Sequence, residues 1–436
     1  MLAVFSSGLS FFILPKKTIS FSEKRTLASL PKLHWNNYVN GKWSDSIDQY
    51  VNDQSPFRFE MVKLASSINY YRGIHLANRE KVLVVAKPQK RTDTKIVTSD
   101  SISRKTNTEE VFEEAYSGNM LIINGSVFTL NRGNPKMASM FGKMLSKYAL
   151  ELTGKTRVIS CVPPLSCAYI PSPKYNDYKL KNKETLLSIK QSLSNGALFC
   201  DVQDELNKHT DEKLFFSTDH HWTARGAYYA YVAFCHGVGL EPVPLDNMER
   251  RVKYDFLGSL YQLTRDKSVE NNPDSMEYFI PRIQTNAIHY GPSDFSKPLK
   301  GSVFCHGCSG GNSYSTFLCG DIPLVKIKTN IKNGKKVLVI KNSMGNAFTV
   351  YLVNHYEEVY AVDFRYAQHN LLTLIKQNAI NDMVFALGLH GAMAYGTIQR
   401  MHDLGFNNEL VRKKDAALKD TILQINSSAT STMPSK

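Results

Sequence analysis

The sequence predicts an α/β protein, with a doubly wound, mostly parallel sheet flanked by helices and an inserted irregular region. Three observations lead there. Short apolar runs with strand character recur at Arg157–Val162, Ala197–Val202, Lys336–Lys341, Val359–Val362 and Asp382–Leu387. Stretches with helical spacing of apolar residues separate them, and that alternation marks crossover units feeding a parallel sheet. Between 241 and 330 the alternation breaks. Pro, Gly, Asn and Asp become frequent there, with strand-like pieces at Glu277–Ile280 and Leu324–Ile327. This region reads as an insertion that shapes a substrate groove.

Composition fits this class. The chain has 436 residues, 42% of them hydrophobic and 21% charged, a globular balance with ample material for a core. Lys and Arg number 53 against 39 Asp and Glu, a net charge of +14. No basic block is interleaved with aromatics, so no nucleic-acid partner is expected. The charge suits an anionic membrane surface or polysaccharide, or is simply a basic surface. Seven cysteines at irregular spacing make no disulfide framework. Cys305-His306-Gly307-Cys308 with Cys319 resembles half of a zinc site, without an evident second half. The plainer reading is ordinary thiols, or one local disulfide.

Taken in order, residues 1–15 form an apolar segment that is short for a membrane span and lacks a basic leader. It reads as part of a signal or anchor, or as a buried helix, and a membrane contact is expected through it. Residues 16–34 read as a linker, 35–410 as the folded domain with the insertion at 241–330, and 411–436 as a polar tail. Trp35 to Tyr71 carries a helical stripe through Tyr38, Trp43, Ile47, Tyr50 and Val51, continued by Met61, Leu64, Ile68 and Tyr71. Lys81–Ala86 reads as a strand, Pro88–Thr108 as an exposed loop, and Met120–Gly125 as a strand ending in a turn. Pro135 suits a first helical residue, and Met137, Met140, Phe141, Met144, Leu145 and Tyr148 follow at helical spacing up to Gly154. A further helix is expected over Glu184–Ser194. Others are expected after Ser343 and over Asn370–Gln377.

Two stretches carry chemistry. Ser217-Thr218-Asp219-His220-His221-Trp222-Thr223 lies where a segment ending at Phe215-Phe216 gives way to a helix, with Thr223 as its N-cap. Asp219 and His221, two residues apart in a tight turn, can converge as a base and its orienting group. The same residues also suit a solvated turn or a metal site. The second stretch is Asn342-Ser343-Met344-Gly345-Asn346, directly after the buried strand Lys336–Lys341. Ligands of open α/β sheets sit at such strand ends. Gly345 permits close backbone approach, and the following helix N-terminus offers amide donors for an oxyanion. Ser343 considered together with Asp219 and His221 favours a nucleophile.

At these residues the sequence resembles the DHHW protein family, which belongs with the alginate O-acetyltransferase-like proteins of the SGNH hydrolase superfamily. Asp219-His220-His221-Trp222 matches its signature. Val339–Phe348, His355–Val359 and Val362–Tyr366 resemble later blocks, and the likeness runs from about Ser22 to Met401. The resemblance implies Ser343 as nucleophile, His221 as base, Asp219 as its orienter and Trp222 packed beneath the turn. It sets Arg365, Gly345, Asn346, His220 and Trp222 around substrate or oxyanion, although Arg365 equally suits an ion pair with Asp363. Asn342 stands where the family more often has Asp, and Met344 where an aromatic is usual. The function implied is acetylation or deacetylation of a polysaccharide hydroxyl in the cell envelope, periplasmic or extracytoplasmic. No metal or cofactor is implied, and a membrane-bound acyl-donor protein is an implied partner. The alternatives are a non-catalytic glycan-binding protein on the same fold, and a metal protein using His220, His221, Cys305 and Cys308.

Overall fold

The computed structural model describes residues 10–20, 25–72, 80–84, 119–291 and 298–407. The first nine residues of the apolar segment, part of the linker, the loop expected over Pro88–Thr108 and the tail from 411 lie outside these. The central element is an eight-stranded sheet. Its strands in chain order are β1 (Arg157–Ser160), β2 (Leu198–Phe199), β3 (Thr285–Tyr290), β4 (Leu299–Gly301), β5 (Leu324–Thr329), β6 (Lys336–Lys341), β7 (Glu358–Asp363) and β8 (Asp382–Ala386). Across the sheet they run β4-β3-β5-β7-β6-β8-β1-β2. From β7 through β6, β8 and β1 to β2 all pairings are parallel, while β5, β3 and β4 extend the β7 edge antiparallel.

Period-2 alternation decides which face each residue covers. In β6, Val337 and Val339 join one core while Leu338 and Ile340 join the other. Val359 and Ala361 of β7, and Val384 and Ala386 of β8, face the first core; Tyr360, Val362, Met383 and Phe385 face the second. Burying one such side chain completely contributes about 1.5–3 kcal/mol. Helices cover both faces. Ala224–Val238 and Met344–Thr349 pack on the first, and Pro135–Glu151, Leu371–Asn378 and Tyr395–Phe406 on the second. The sheet is therefore doubly wound, as expected.

Several expectations shift. The insertion is more regular than its composition suggests: it supplies the antiparallel hairpin Glu249–Phe256/Asp274–Ile280 as well as β3, β4 and β5. Val202 opens a short helix to Asn207 instead of ending a strand, because the Asp201 side chain caps the Asp204 amide. The helix expected from Glu184 starts at Asn176. Its first half lacks an apolar stripe because Asn182 fills a core position, accepting from the Leu165 amide and donating to the Asn131 carbonyl.

The Trp35–Tyr71 region is three helices, broken at Gly41 and at Phe57, both left-handed. Much of its apolar stripe, including Tyr38, Val51, Met61, Leu64 and Ile68, is exposed. Among the described residues no helix is long and apolar enough to cross a membrane. A small three-stranded sheet, Glu80–Val84, Asn119–Ile123 and Ser126–Thr129, lies beside the site. It contacts the Asp-His-His turn directly: the Val127 amide donates to the Ser217 carbonyl at 2.8 Å.

Candidate active site

The Asp-His-His turn is closed by its own backbone. Phe215 and Trp222 form an antiparallel bridge, and the Thr223 amide donates to the Leu214 carbonyl. Thr223 then caps the helix Ala224–Val238 through the Gly226 amide. Below the turn lies Asp274, a buried carboxylate from the insertion hairpin. It accepts from the Ser217 and Thr218 amides at 3.0 and 2.8 Å and from the Thr218 hydroxyl, and it pairs with Lys213. A carboxylate fixed by several donors holds the turn rigidly. Nothing in the local sequence spacing points to Asp274, because it reaches the turn from more than fifty residues away.

The turn and the serine loop meet at 2.8 Å, between His221 Nε2 and Ser343 Oγ. On the other side His221 Nδ1 is 2.5 Å from Asp219 Oδ1. Asp219 also accepts from the His221 amide at 3.0 Å and, through its other oxygen, from the Ser259 amide at 2.8 Å. Burial would raise the Asp219 carboxyl, but the adjacent imidazoles of His221 and His220 and these donors outweigh it and hold it below the usual carboxylate range. Asp219 thus stays ionised, and an ionised partner on Nδ1 fixes the tautomer that leaves Nε2 as the acceptor toward Ser343. Hydroxyl, imidazole and carboxylate in this order can carry out nucleophilic acyl transfer.

Two rings complete the frame. Tyr314 stacks on His221 with centroids 3.7 Å apart and planes 9° apart. The Trp222 indole N–H donates to the Met344 carbonyl at 2.9 Å, and the Tyr314 hydroxyl reaches the same oxygen at 3.3 Å. The tryptophan therefore bolts the His-bearing turn to the residue after Ser343. Trp222 is buried beneath the site and is not among the residues lining the cavity. Gly345 is likewise beneath it. A side chain there would run into the Ala386 carbonyl, so glycine lets this helix sit directly on β8.

The serine opens onto a cavity of about 440 Å³ whose wall includes His220, Asn342, Asn346, Arg365 and His390. His220 is fixed by Ser259 at 2.7 Å. Arg365 forms the ion pair with Asp363, at 2.8 and 2.6 Å, and adds Asp321 at 2.9 Å. Asn346 donates to Asp321 at 3.2 Å. Asp321 is a second carboxylate of the wall, besides Asp219. Burial pushes it up, but Arg365, Lys341 and His221 pull it below its ordinary range. His390, beyond β8, is held neutral, its value lowered to about 4 by burial. Sequence reading missed Tyr314, Asp321 and His390. A buried ring and two isolated wall residues leave no motif; only the strand-end position of His390 hinted at it.

The expected amide donors of the first helical turn are already occupied. The Met344 amide donates to Asn342 Oδ1, the Gly345 amide to the Asn342 carbonyl and the Asn346 amide to the Ser343 carbonyl. Asn342 Oδ1 also accepts from the Gly388 amide at 3.3 Å. With its oxygen bound twice, the Asn342 carboxamide turns its NH₂ away from these amides.

Asp219, His220 and His221 lie close enough to share an ion. However, both His221 nitrogens are engaged, and Cys305 and Cys308 are not part of that group, so the four-residue metal set does not assemble.

Gly258 gives a direct test of the frame. An added methyl there would strike the Asp219 carboxylate. Gly258→Ala is expected to cost about 1–3 kcal/mol through overpacking and to disturb the Asp219–His221 bond. Thermal unfolding together with the His221 ring proton resonances checks this, and an unchanged spectrum would refute it.

Residues 149–362 match the model of the DHHW protein family. No curated protein matches the sequence. Among solved structures, a DHHW family protein from Eubacterium siraeum is similar, with 27% identity and a TM-score of 0.59 over 65% of this chain and 94% of that one. PatB1 from Bacillus cereus is similar at 16% identity and a TM-score of 0.53, over 64% of this chain and 98% of that one. Its structure with a sulfonyl adduct gives 14% and 0.52, over 64% and 97%.

Proposed function

The chain is a DHHW family protein, and from that premise and the site geometry we propose that it is a serine acyl hydrolase or transferase of the cell envelope, moving acetyl groups on or off polysaccharide hydroxyls. The observation that carries this reading is the Asp219–His221–Ser343 chain, with contacts of 2.5 and 2.8 Å, opening on a cavity whose largely apolar wall carries a few charged and amide side chains.

In this mechanism His221 Nε2 takes the Ser343 proton as Oγ attacks the ester carbonyl carbon. The tetrahedral intermediate collapses, the C–O bond to the alcohol breaks, and His221 returns the proton to the departing alkoxide. A second hydroxyl, of water or sugar, then gives its proton to His221 and attacks the acetyl-serine; the C–O bond to Oγ breaks and His221 returns the proton to Ser343. Asp219 stabilises the imidazolium formed in each half. The NH₂ of Asn342, on the residue before the nucleophile, serves as an oxyanion donor, a role an ionised aspartate at this position would not fill. The acidic Asp321 and the amides of the wall suit hydroxyl-rich acceptors. The basic surface suits an anionic polymer, and a membrane-bound acyl-donor protein would supply the acetyl group.

Asn342→Asp keeps both amide bonds to Oδ1 but loses the donor and adds charge beside Ser343. Removal of one oxyanion donor typically costs on the order of 10²–10³ in kcat, and that drop is expected in acetyl-ester hydrolysis. Unchanged kcat would remove Asn342 from the mechanism.

The structure of PatB1 with a sulfonyl adduct suggests the probe for the main reading. Incubation with a sulfonyl fluoride, and separately with p-nitrophenyl acetate, should yield single covalent adducts by intact mass, both mapping to Ser343. A protein that forms neither adduct and hydrolyses no acetyl ester is not an acyl-transfer enzyme. It would then fit the second reading, a glycan-binding protein.

A further inference from the structure

The Cys-His-Gly-Cys stretch takes no part in the acyl-transfer site, yet the fold gathers it with a third cysteine. Phe304 and Phe317 form an antiparallel bridge, with the Cys305 amide donating to the Thr316 carbonyl at 2.8 Å and the Leu318 amide to the Val303 carbonyl at 2.9 Å. The chain then turns through Leu318 and Cys319, both with positive φ (54° and 59°), a conformation that side-chain-bearing residues adopt only under constraint. That turn brings Cys319 back over the start of the hairpin, where its thiol meets the Ser302 carbonyl at 3.4 Å. Cys308 closes a tight turn onto Cys305, its amide donating to the Cys305 carbonyl at 3.2 Å. Cys305 thus sits between Cys308, across its own tight turn, and Cys319, which the bridged strands bring back beside it.

All three are partly exposed thiols in this structure, whereas Cys161, Cys167, Cys200 and Cys235 are buried. The three also differ among themselves. The Cys308 thiol and the nearby amides of Cys308 and Gly307 lower Cys305, while burial raises Cys308 and Cys319. The loop they enclose is not incidental: it contains Gly310–Thr316, and so Tyr314, the ring stacked on His221.

We propose that Cys305, Cys308 and Cys319 form a thiol–disulfide exchange site, with Cys305 as the attacking thiol and Cys308 and Cys319 as alternative resolving thiols, taking a low-molecular-weight disulfide or a partner's exposed disulfide as oxidant. Cys305 loses its proton, and its sulfur attacks one sulfur of the oxidant. The oxidant's S–S bond breaks and one thiolate departs. The thiolate of Cys308 or Cys319 then attacks the Cys305 sulfur, the mixed disulfide breaks, and the second thiolate departs. Two protein thiols are oxidised, one disulfide is reduced to two thiols, and two protons end on the thiolates released. Resolution by Cys308 leaves a link confined to the tight turn. Resolution by Cys319 staples the hairpin that carries Tyr314. The inference stands apart from the acyl-transfer reading, because its test is read on thiols alone.

The test uses the full chain treated with glutathione disulfide under native conditions. Free thiols are counted after denaturation, and the products are mapped by mass. Tryptic peptide 301–326 contains all three cysteines, so a single internal link makes it two hydrogens lighter, and a further chymotryptic cut after Tyr314 separates the two linkages. The wild type should lose two thiols, both from this peptide. Cys308→Ser should yield only the Cys305–Cys319 link, Cys319→Ser only the Cys305–Cys308 link, and Cys305→Ser neither. Alkylation of native wild type by iodoacetamide reads the same hub without mutation: Cys305 should react first among the seven cysteines. The proposal is overturned if the wild type keeps all its thiols, if Cys305→Ser oxidises as fast as wild type, if the buried cysteines react first, or if metal analysis finds an ion that protects the three thiols.

Discussion

Ser343→Ala is expected to lower acetyl-ester turnover by on the order of 10⁴-fold or more while leaving the fold nearly as stable as before. The two halves of this expectation have different sources. The serine is half-buried in the cavity wall, and among the described residues its side chain bonds to His221 alone. Losing one such bond changes stability by about 0.5–1.5 kcal/mol. Losing the oxygen that attacks the ester removes the covalent route altogether, and neither Asp219 nor His221 can replace it. Steady-state hydrolysis of p-nitrophenyl acetate and thermal unfolding, measured side by side, report the two quantities. Full activity in the variant would exclude Ser343 as the nucleophile. A large loss of stability accompanying the loss of activity would point to a damaged fold instead.

Asp363→Ala is expected to be the most destabilising single change near the site, at about 3–5 kcal/mol. Asp363 is the partner of Lys341 at 3.4 Å and of Arg365 at 2.6 Å, and the side chains of Lys341 and Asp363 are completely inaccessible. The strand register makes the cluster: Lys341 ends β6 directly opposite Asp363 at the end of β7. Without the carboxylate a buried ammonium loses its hydrogen-bond partner, whereas Arg365 keeps Asp321. The double variant Asp363→Ala/Lys341→Met should therefore recover part of the loss, since removing both members of a buried pair costs far less than removing one. Chemical denaturation checks both, and a single variant within 1 kcal/mol of wild type would show the pair to be dispensable.

The sequence announces some of this architecture and hides the rest, for identifiable reasons. The run Val337–Ile340 reads as a doubly buried strand because both of its faces are covered, and the helix after Thr223 announces its cap. Asp219, His221 and Ser343 were legible because a turn motif and a strand end are local signals. Tyr314 and Asp274 were not, because they reach the site from an insertion whose composition gives no period. The amide donors expected after Ser343 proved to be occupied, since the Asn342 side chain and the tight turn satisfy them first. Arg365 suited two roles in the sequence; the carboxylates that fix it, Asp363 and Asp321, come from β7 and from the loop before β5.

The strand order has a consequence for biosynthesis. β1 and β2 are made early, but the strand that connects them to the rest of the sheet is β8, near the end of the described chain. On the other side β5, and through it β3 and β4, join the sheet only by way of β7. A ribosome that has released residues up to 330 has therefore exposed the Asp-His-His turn and both outer portions of the sheet, with no centre to hold them. At that length the chain presents unpaired strand edges, the feature that makes folding intermediates prone to aggregate. The parallel half of the sheet is continuous only with β8 in place between β6 and β1.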